Sequence, residues 1–150
     1  MLRSALVALA IAAAIPAAAG EALVVKESAL SVKDTLDALA KAIEAKGLKV
    51  FARVDHAAGA KAAGLDMAPA EVLMFGNPKL GTPLMQAKPE IGLDLPLKVL
   101  AWQDASGKVR IGYTAPDALK ARYGISGKDE VFATMAKALD GLTTAATGGP

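Results

Sequence analysis

The sequence contains no cysteine among its 150 residues. Without a thiol the chain can form no disulfide, thiolate metal site, c-type haem attachment or cysteine nucleophile. Aromatic residues make up only 4% of the chain, and histidine occurs once, at His56. Because the residue types that carry metal and redox chemistry are scarce, we predict no metal and no cofactor.

A strong charge of one sign is also missing. The chain has 17 Lys and Arg against 15 Asp and Glu, and the two signs alternate along it. A nucleic-acid-binding surface would show clustered basic residues with aromatic residues between them. We therefore predict no nucleic-acid partner.

The N-terminus carries the one long apolar run. Arg3 precedes an apolar segment at residues 5–15, and small residues lie at Ala17 and Ala19. This layout is typical of a secretory signal peptide that is cleaved after Ala19. The run is too short and too rich in alanine to predict a membrane span, although a retained N-terminal anchor is the alternative. We predict a signal peptide at residues 1–19, a periplasmic or secreted protein, and no membrane contact after cleavage.

The remaining sequence predicts one compact α+β domain at residues 20–142. Short apolar or alternating runs predict five strands, at residues 21–27, 48–55, 71–75, 97–103 and 108–114. Helical patterns lie between and after them, at residues 31–46, 57–65, 83–88, 116–123 and 129–142. This order favours a mainly antiparallel sheet with helices packed on it. Residues 143–150 are predicted to form a disordered tail.

Four local patterns refine this prediction. Ser31, with Asp34 three residues later, predicts a capped helix start, and Gly107 predicts a tight hairpin turn. The alternation in residues 48–55 predicts that Val50, Ala52 and Val54 share one face with Leu48. The nearly continuous apolar run at residues 71–75 predicts a strand covered on both faces.

The segment "FGNPKLGTP" at residues 75–83 resembles a phosphate loop only in part. Gly76 and Gly81 have the required spacing, but Thr82 and Pro83 follow where Lys and Ser or Thr are needed. We therefore interpret the segment as a turn that leaves a strand, with Asn77 as a turn residue.

A small anion is the ligand that this segment favours. Thr82 is predicted to cap a short helix that Pro83 begins. Free N–H groups near Gly81 and Thr82, beside Lys79, could then hold a carboxylate or another small anion.

His56 follows Asp55 at a strand end, where extended neighbours point to opposite faces and cannot form an orienting pair. A structural, hydrogen-bonded histidine is favoured over a general base or metal ligand. Neither Asp94 nor Asp104 has a partner at a spacing typical of paired acid–base chemistry. Trp102, on a hairpin strand, is interpreted as a core or dimer-face residue rather than a stacking platform.

Several sequence blocks together resemble the domain-of-unknown-function 302 family. They are "RVDHAAGAKAAGL", "VLMFGNPKLGTPLM", "GLDLPLKVLAWQDASGKVRIGYTAP" and "ALKARYGI". The resemblance covers about residues 24–125 and is carried by a DH pair, an FGNP loop and a DLP hairpin. It implies a compact, dimeric α+β fold found in bacterial and archaeal proteins, and it implies no established activity.

The sequence thus favours a non-enzymatic exported domain of unknown function that binds a small ligand or partner as a homodimer. His56, Asn77, Lys79 and Thr82 are the predicted ligand-binding residues. The alternatives are a small cofactor-free enzyme that uses His56 as acid or base, and a structural or assembly module. A site shared by His56 and Asn77 requires both to lie at the same end of neighbouring strands.

Overall fold

A computed structural model describes residues 22–149. Five strands, five α-helices and one 3-10 helix (Pro89–Leu93) follow one another in the described chain. The strands are β1 (Leu23–Ser28), β2 (Lys49–Asp55), β3 (Ala70–Gly76), β4 (Leu97–Gln103) and β5 (Val109–Thr114). The helices are α1 (Val32–Ala45), α2 (His56–Ala62), α3 (Pro78–Ala87), α4 (Pro116–Tyr123) and α5 (Asp129–Ala146).

The five strands form one sheet in the order β1-β5-β4-β3-β2. Every neighbouring pair is antiparallel. The prediction of a single α+β domain with an antiparallel five-stranded sheet is confirmed. The predicted signal peptide at residues 1–19 lies outside the described residues.

The main core lies between one face of the sheet and the helices α1 and α5. The helices contribute buried apolar side chains to this cluster, among them Leu36, Leu39, Ile43, Leu139 and Leu142. The sheet contributes Leu73, Phe75, Val99, Ala101, Ile111 and Tyr113. A second cluster, under the C-terminal half of the chain, joins Leu84, Ile91, Leu119, Ile125, Phe132 and Met135.

Two predicted local signals are confirmed. Ser31 caps α1, because its Oγ accepts a hydrogen bond from the Asp34 N–H at 3.1 Å. The Ser31 hydroxyl also donates to the Asp34 carboxylate at 2.7 Å. Gly107 has a φ of 82°, the left-handed conformation that the β4–β5 turn requires and that glycine adopts without steric cost.

The predicted alternation of β2 was wrong because the strand contains a β-bulge. Val50 pairs with Phe75, but Ala52 pairs with Met74, so Phe51 is an extra residue on its strand. Val50 therefore packs against the core, whereas Val54 pairs with Val72 on the opposite face. A one-residue shift moves every later side chain of a strand to the other face.

The predicted disordered tail was wrong for residues 143–146. α5 continues through them to Ala146, and both Thr143 and Ala146 are buried. The Thr143 hydroxyl donates to the Leu139 carbonyl at 2.8 Å, which satisfies its polar group inside the helix. Burial against the sheet and α1 thus extends a helix through residues whose composition suggested a tail.

β3 is not covered on both faces, contrary to its continuous apolar sequence. Leu73 and Phe75 are buried on the helix-covered face, but Val72 and Met74, on the other face, are only half-buried. The second face of the sheet is apolar at Val72, which lies between Leu100 and Val54, and it also carries the charged residues Lys98, Arg110 and Glu27. We call this second face the open face.

Candidate functional site

An apolar pocket lies at the end of the sheet where β2 begins and β3 ends. Its volume is about 170 Å³. The segment from Phe75 to Thr82 forms one wall, and α5 forms another through Met135 and Ala138. The remaining lining comes from the strands and from the segment before β4, through Leu48, Phe51, Met85, Leu95, Pro96 and Leu97.

Asn77 shapes this wall by starting α3. Its side-chain oxygen accepts a hydrogen bond from the Lys79 N–H at 2.9 Å, as an N-cap residue does. Pro78 occupies the first helical position, where the missing N–H costs nothing. The turn interpretation of this segment is thereby extended: the residues that end β3 also begin a ten-residue helix.

The predicted anion site has no free amides at this helix start. The Leu80 and Gly81 N–H groups both donate to the Asn77 carbonyl at 3.0 Å. Thr82 lies inside α3 rather than capping a helix begun by Pro83, so that prediction was wrong. Since the first-turn amides already have partners, they offer little to an anion.

Only two of the four predicted site residues lie at the same place. Asn77 and Thr82 line the pocket, while Lys79 is exposed on α3 and is not part of the lining.

His56 is exposed at the first position of α2. Because β2 and β3 are antiparallel, with Asp55 opposite Glu71 and Lys49 opposite Gly76, His56 lies at the far end of the strands. At about 3.3 Å per residue, it is roughly 20 Å from Asn77. The prediction of a shared His56–Asn77 site was wrong.

Asp55 has a local role beside His56. Its carboxylate accepts a hydrogen bond from the Ala58 N–H at 2.8 Å and so caps α2. Within residues 22–149, no group of three His, Asp or Glu side chains is arranged to hold a metal ion. The geometry around His56 is that of a helix start, which needs no ligand to explain it.

Asp94 belongs to a polar cluster outside the pocket. Its Oδ2 accepts hydrogen bonds from the Tyr123 hydroxyl at 2.7 Å and from Arg122 at 2.8 Å. Partial burial favours a higher pKa for Asp94, but these two donors outweigh it and hold the pKa below its usual value. The cluster fastens the segment before β4 to α4, and we assign it a structural role.

The sequence analysis missed the apolar side chains that make the pocket. Phe51, Met85 and Ala138 come from three separate elements, so no spacing along the chain relates them. One signal was present: Phe51 is a large apolar residue at a polar position of the alternating β2 pattern. The β-bulge at Phe51 explains this departure from the alternation.

The family model described as "Domain of unknown function DUF302" matches residues 24–142. The chain belongs to the DUF302 family. The expected resemblance is confirmed, and the match continues past residue 125 into α5. The family description names no activity, so it assigns no catalytic residue to this DUF302 chain.

Two curated relatives carry a related segment within longer proteins. The DUF302 chain is 48% identical over 109 residues to "Fluoride-specific ion channel FluC 1" of Brucella suis biovar 1, covering 73% of this chain and 43% of that protein. It is also 48% identical over 109 residues to the FluC 1 protein of Brucella abortus biovar 1, covering 40% of that protein. The chain thus spans less than half the length of these relatives. In residues 22–149, no helix is both long enough and apolar enough to cross a membrane.

A solved structure supports the fold. The DUF302 chain is similar to an uncharacterized conserved DUF302 protein from Bacillus stearothermophilus, with a TM-score of 0.76 at 20% sequence identity. The similarity covers 85% of this chain and 99% of the other. At this identity the comparison establishes the shared architecture.

Proposed function

We propose that this DUF302 chain is an exported, homodimeric binding module whose ligand is a small, uncharged, apolar molecule. The observation that carries the proposal is the pocket of about 170 Å³ behind the Asn77 helix start. Small-molecule sites are typically concave, mostly apolar and equipped with a few polar groups. Here Asn77 and Thr82 are the polar members of the lining.

The volume limits the size of the ligand. An apolar protein cavity of about 150 Å³ accommodates benzene, so a pocket of about 170 Å³ suits a single aromatic ring or a short branched carbon chain. Burying a charge in such surroundings would require a paired partner. The apolar lining therefore favours a neutral ligand over the anion expected from the sequence.

The same lining favours binding over catalysis. General acid–base chemistry needs a titratable group within hydrogen-bond reach of the reacting atom. None of the described residues that line the pocket has a titratable side chain, and His56 lies at the other end of the strands. These observations support a binding module rather than the alternative of an enzyme centred on His56.

Export is supported by the sequence of residues 1–19, which has the charge, apolar run and small residues of a cleaved signal peptide. Protein purified from the cell envelope of its own host should therefore begin at Gly20. Intact mass spectrometry of that protein measures its N-terminus directly.

Filling the pocket from α5 should abolish ligand binding. In Ala138→Leu, three additional carbon atoms would extend from a half-buried lining position into the pocket. We expect the affinity for fluorobenzene, measured by ligand-observed ¹⁹F NMR, to fall by about tenfold or more. Ala133→Leu is the matched control, because Ala133 lies on the same helix but is exposed.

Equal fluorobenzene binding by both variants would contradict the pocket assignment. Sodium fluoride, titrated in the same ¹⁹F experiment, tests the ligand class. Fluoride is strongly hydrated, and an apolar lining cannot replace its water, so we expect no fluoride binding. Saturable fluoride binding without fluorobenzene binding would overturn the proposal of an apolar ligand.

A further inference from the structure

The open face of the sheet carries an uninterrupted apolar row. One residue from each strand contributes to it, and cross-strand pairing places these five side by side: Val25, Gly112, Leu100, Val72 and Val54. Residues that pair directly across strands point to the same face. The row therefore crosses the sheet from one edge strand to the other without a polar side chain.

Further apolar side chains flank this row. Leu23 and Met74 lie on one side of it, together with Thr114 and Lys98, and Trp102 lies on the other side, beside Arg110 and Glu27. The Trp102 ring lies across Gly112, since a Cβ built at Gly112 would be 3.1 Å from the ring. Trp102 thus covers Gly112 on the open face.

This face is accessible to solvent within the described chain. Val25 and Val54, at the two ends of the row, are 43% and 41% exposed, and Leu23 is 52% exposed. Val72, Leu100 and Trp102 are half-buried. A contiguous apolar patch of this kind marks an interaction surface more often than isolated exposed apolar residues do.

We infer that a second copy of this chain packs on the open face, sheet against sheet. This inference rests on the homodimer of the proposed function and adds the surface and its symmetry. Two apolar sheet faces pack about 10 Å apart with their strands nearly aligned. The open face meets this requirement because its row is apolar on all five strands.

The size of the face suits self-association. Five strands about 4.8 Å apart and about 20 Å long give a face of roughly 500 Å² per copy. Two such faces together reach about 1,000 Å², the lower limit for a specific interface.

The charges of the open face decide the symmetry. Arg110 already pairs with Glu27 at 3.0 Å and with Asp104 at 2.8 Å, whereas Lys98 has no carboxylate partner among the ion pairs of the described residues. Lys98 lies two residues before Leu100 on the open face, and Trp102 lies two residues after it. A two-fold axis along β4 would place Lys98 against Lys98 of the second copy, which is repulsive. An axis along the apolar row instead places Lys98 over Trp102 of the second copy, where a cation–π contact is favourable. We therefore assign the axis to the row, so that Val54 meets Val54 of the second copy.

A charge swap at Val54 tests both the face and the axis. Val54→Glu and Val54→Lys each bring two like charges together, and we expect each to raise the dimer dissociation constant about a hundredfold. An equal mixture of the two variants should restore the dimer, because opposite charges then meet. Sedimentation velocity of the full chain across a dilution series measures the dissociation constant.

Ala133→Glu is the matched control, since Ala133 is exposed on α5, which packs on the other face of the sheet. It should dimerise like the unmodified chain. Far-UV circular dichroism checks that the Val54 variants fold. A second measurement needs no variant: Trp102 is the only tryptophan, so its quenching by acrylamide should rise as the unmodified dimer is diluted.

The outcomes are separable. Loss of the dimer in both Val54 variants and recovery in their mixture would support the face and the axis. A dimer that tolerates both variants, or constant Trp102 quenching on dissociation, would overturn the open face while leaving the homodimer intact. Variants that weaken the dimer without recovery on mixing would overturn the axis. An unmodified chain that stays monomeric would overturn both the homodimer and this inference, but not ligand binding.

Discussion

Phe75→Ala should lower the free energy of unfolding by about 3–5 kcal/mol, the range for removing a buried phenylalanine from a core. Phe75 is 1% exposed and belongs to the cluster between the sheet and its helices. Its replacement removes apolar contacts and leaves a cavity that the surrounding strands can fill only in part. Urea denaturation followed by far-UV circular dichroism measures the change.

Phe51→Ala is the matched control for this prediction. Phe51 lines the same pocket, but it is 47% exposed, at the bulge of β2. Because its ring is already half in water, we expect its loss to cost about 1 kcal/mol or less. Equal destabilisation by the two variants would contradict the burial difference on which the prediction depends.

Phe75 belongs both to the main core and to the pocket. Phe75 is both a core residue and a lining residue, so the pocket is part of the boundary of the main core. A chain that filled this boundary completely would have better packing and no room for a ligand. The pocket is therefore a place where packing is incomplete although the residues around it are apolar.

Sequence patterns predicted the elements whose signals are local. Ser31 and Asp34 are three residues apart, and the Gly107 turn joins adjacent strands. Their hydrogen bonds and backbone angles depend on neighbours in the chain, so the sequence contains the required information. The α+β class followed from the order of such elements.

The site could not be predicted in the same way. Ala138 and Phe51 meet at the pocket although 87 positions separate their numbers, and only the packing of α5 against the sheet brings them together. The predicted residues were chosen for their chemistry: His56 for its imidazole and Lys79 for its charge. Because β2 and β3 pair antiparallel, His56 lies at the opposite end of these strands from Asn77.

The composition of the C-terminus led to a wrong prediction because it does not show the tertiary contacts of α5. Thr143 and Ala146 belong to a segment of small and polar residues, which is typical of a tail. In the fold, both residues are buried on α5. Tertiary packing of an apolar helix face contributes more to helix stability than local propensity does, and this contribution depends on residues far away in the sequence.

The apolar run of β3 belongs in part to the main core and in part to the open face. Its odd-numbered residues, Leu73 and Phe75, belong to the main core, and its even-numbered residues, Val72 and Met74, belong to the open face. A strand covered on both faces was the expectation. The open face leaves one of those coverings to be supplied by another molecule, which is the role that we propose for the second copy.

Gly112→Val should destabilise the fold by about 1–3 kcal/mol through overpacking. A Cβ at Gly112 would lie 3.0 Å from the Val24 carbonyl oxygen and 3.1 Å from the Trp102 ring. Both distances are shorter than an ordinary carbon contact of about 3.5–4.0 Å, and the γ-methyl groups of valine add to the crowding. Since valine otherwise favours strands, β-propensity cannot explain a loss of stability. Thermal unfolding and Trp102 emission, measured together, report the change and the displacement of the ring.

Gly59→Ala provides the opposite control. Gly59 lies in α2, and a Cβ built there has nothing within 4 Å. Alanine should therefore stabilise the chain by about 0.5–1 kcal/mol, because glycine inside a helix loses more conformational freedom on folding. If Gly112→Val matched the unmodified chain in both stability and Trp102 emission, the ring could not lie over Gly112. The open face would then lack the apolar cover that the Trp102 ring gives to Gly112. Destabilisation with a shifted emission would instead show that the glycine is required for the position of the Trp102 ring on the open face.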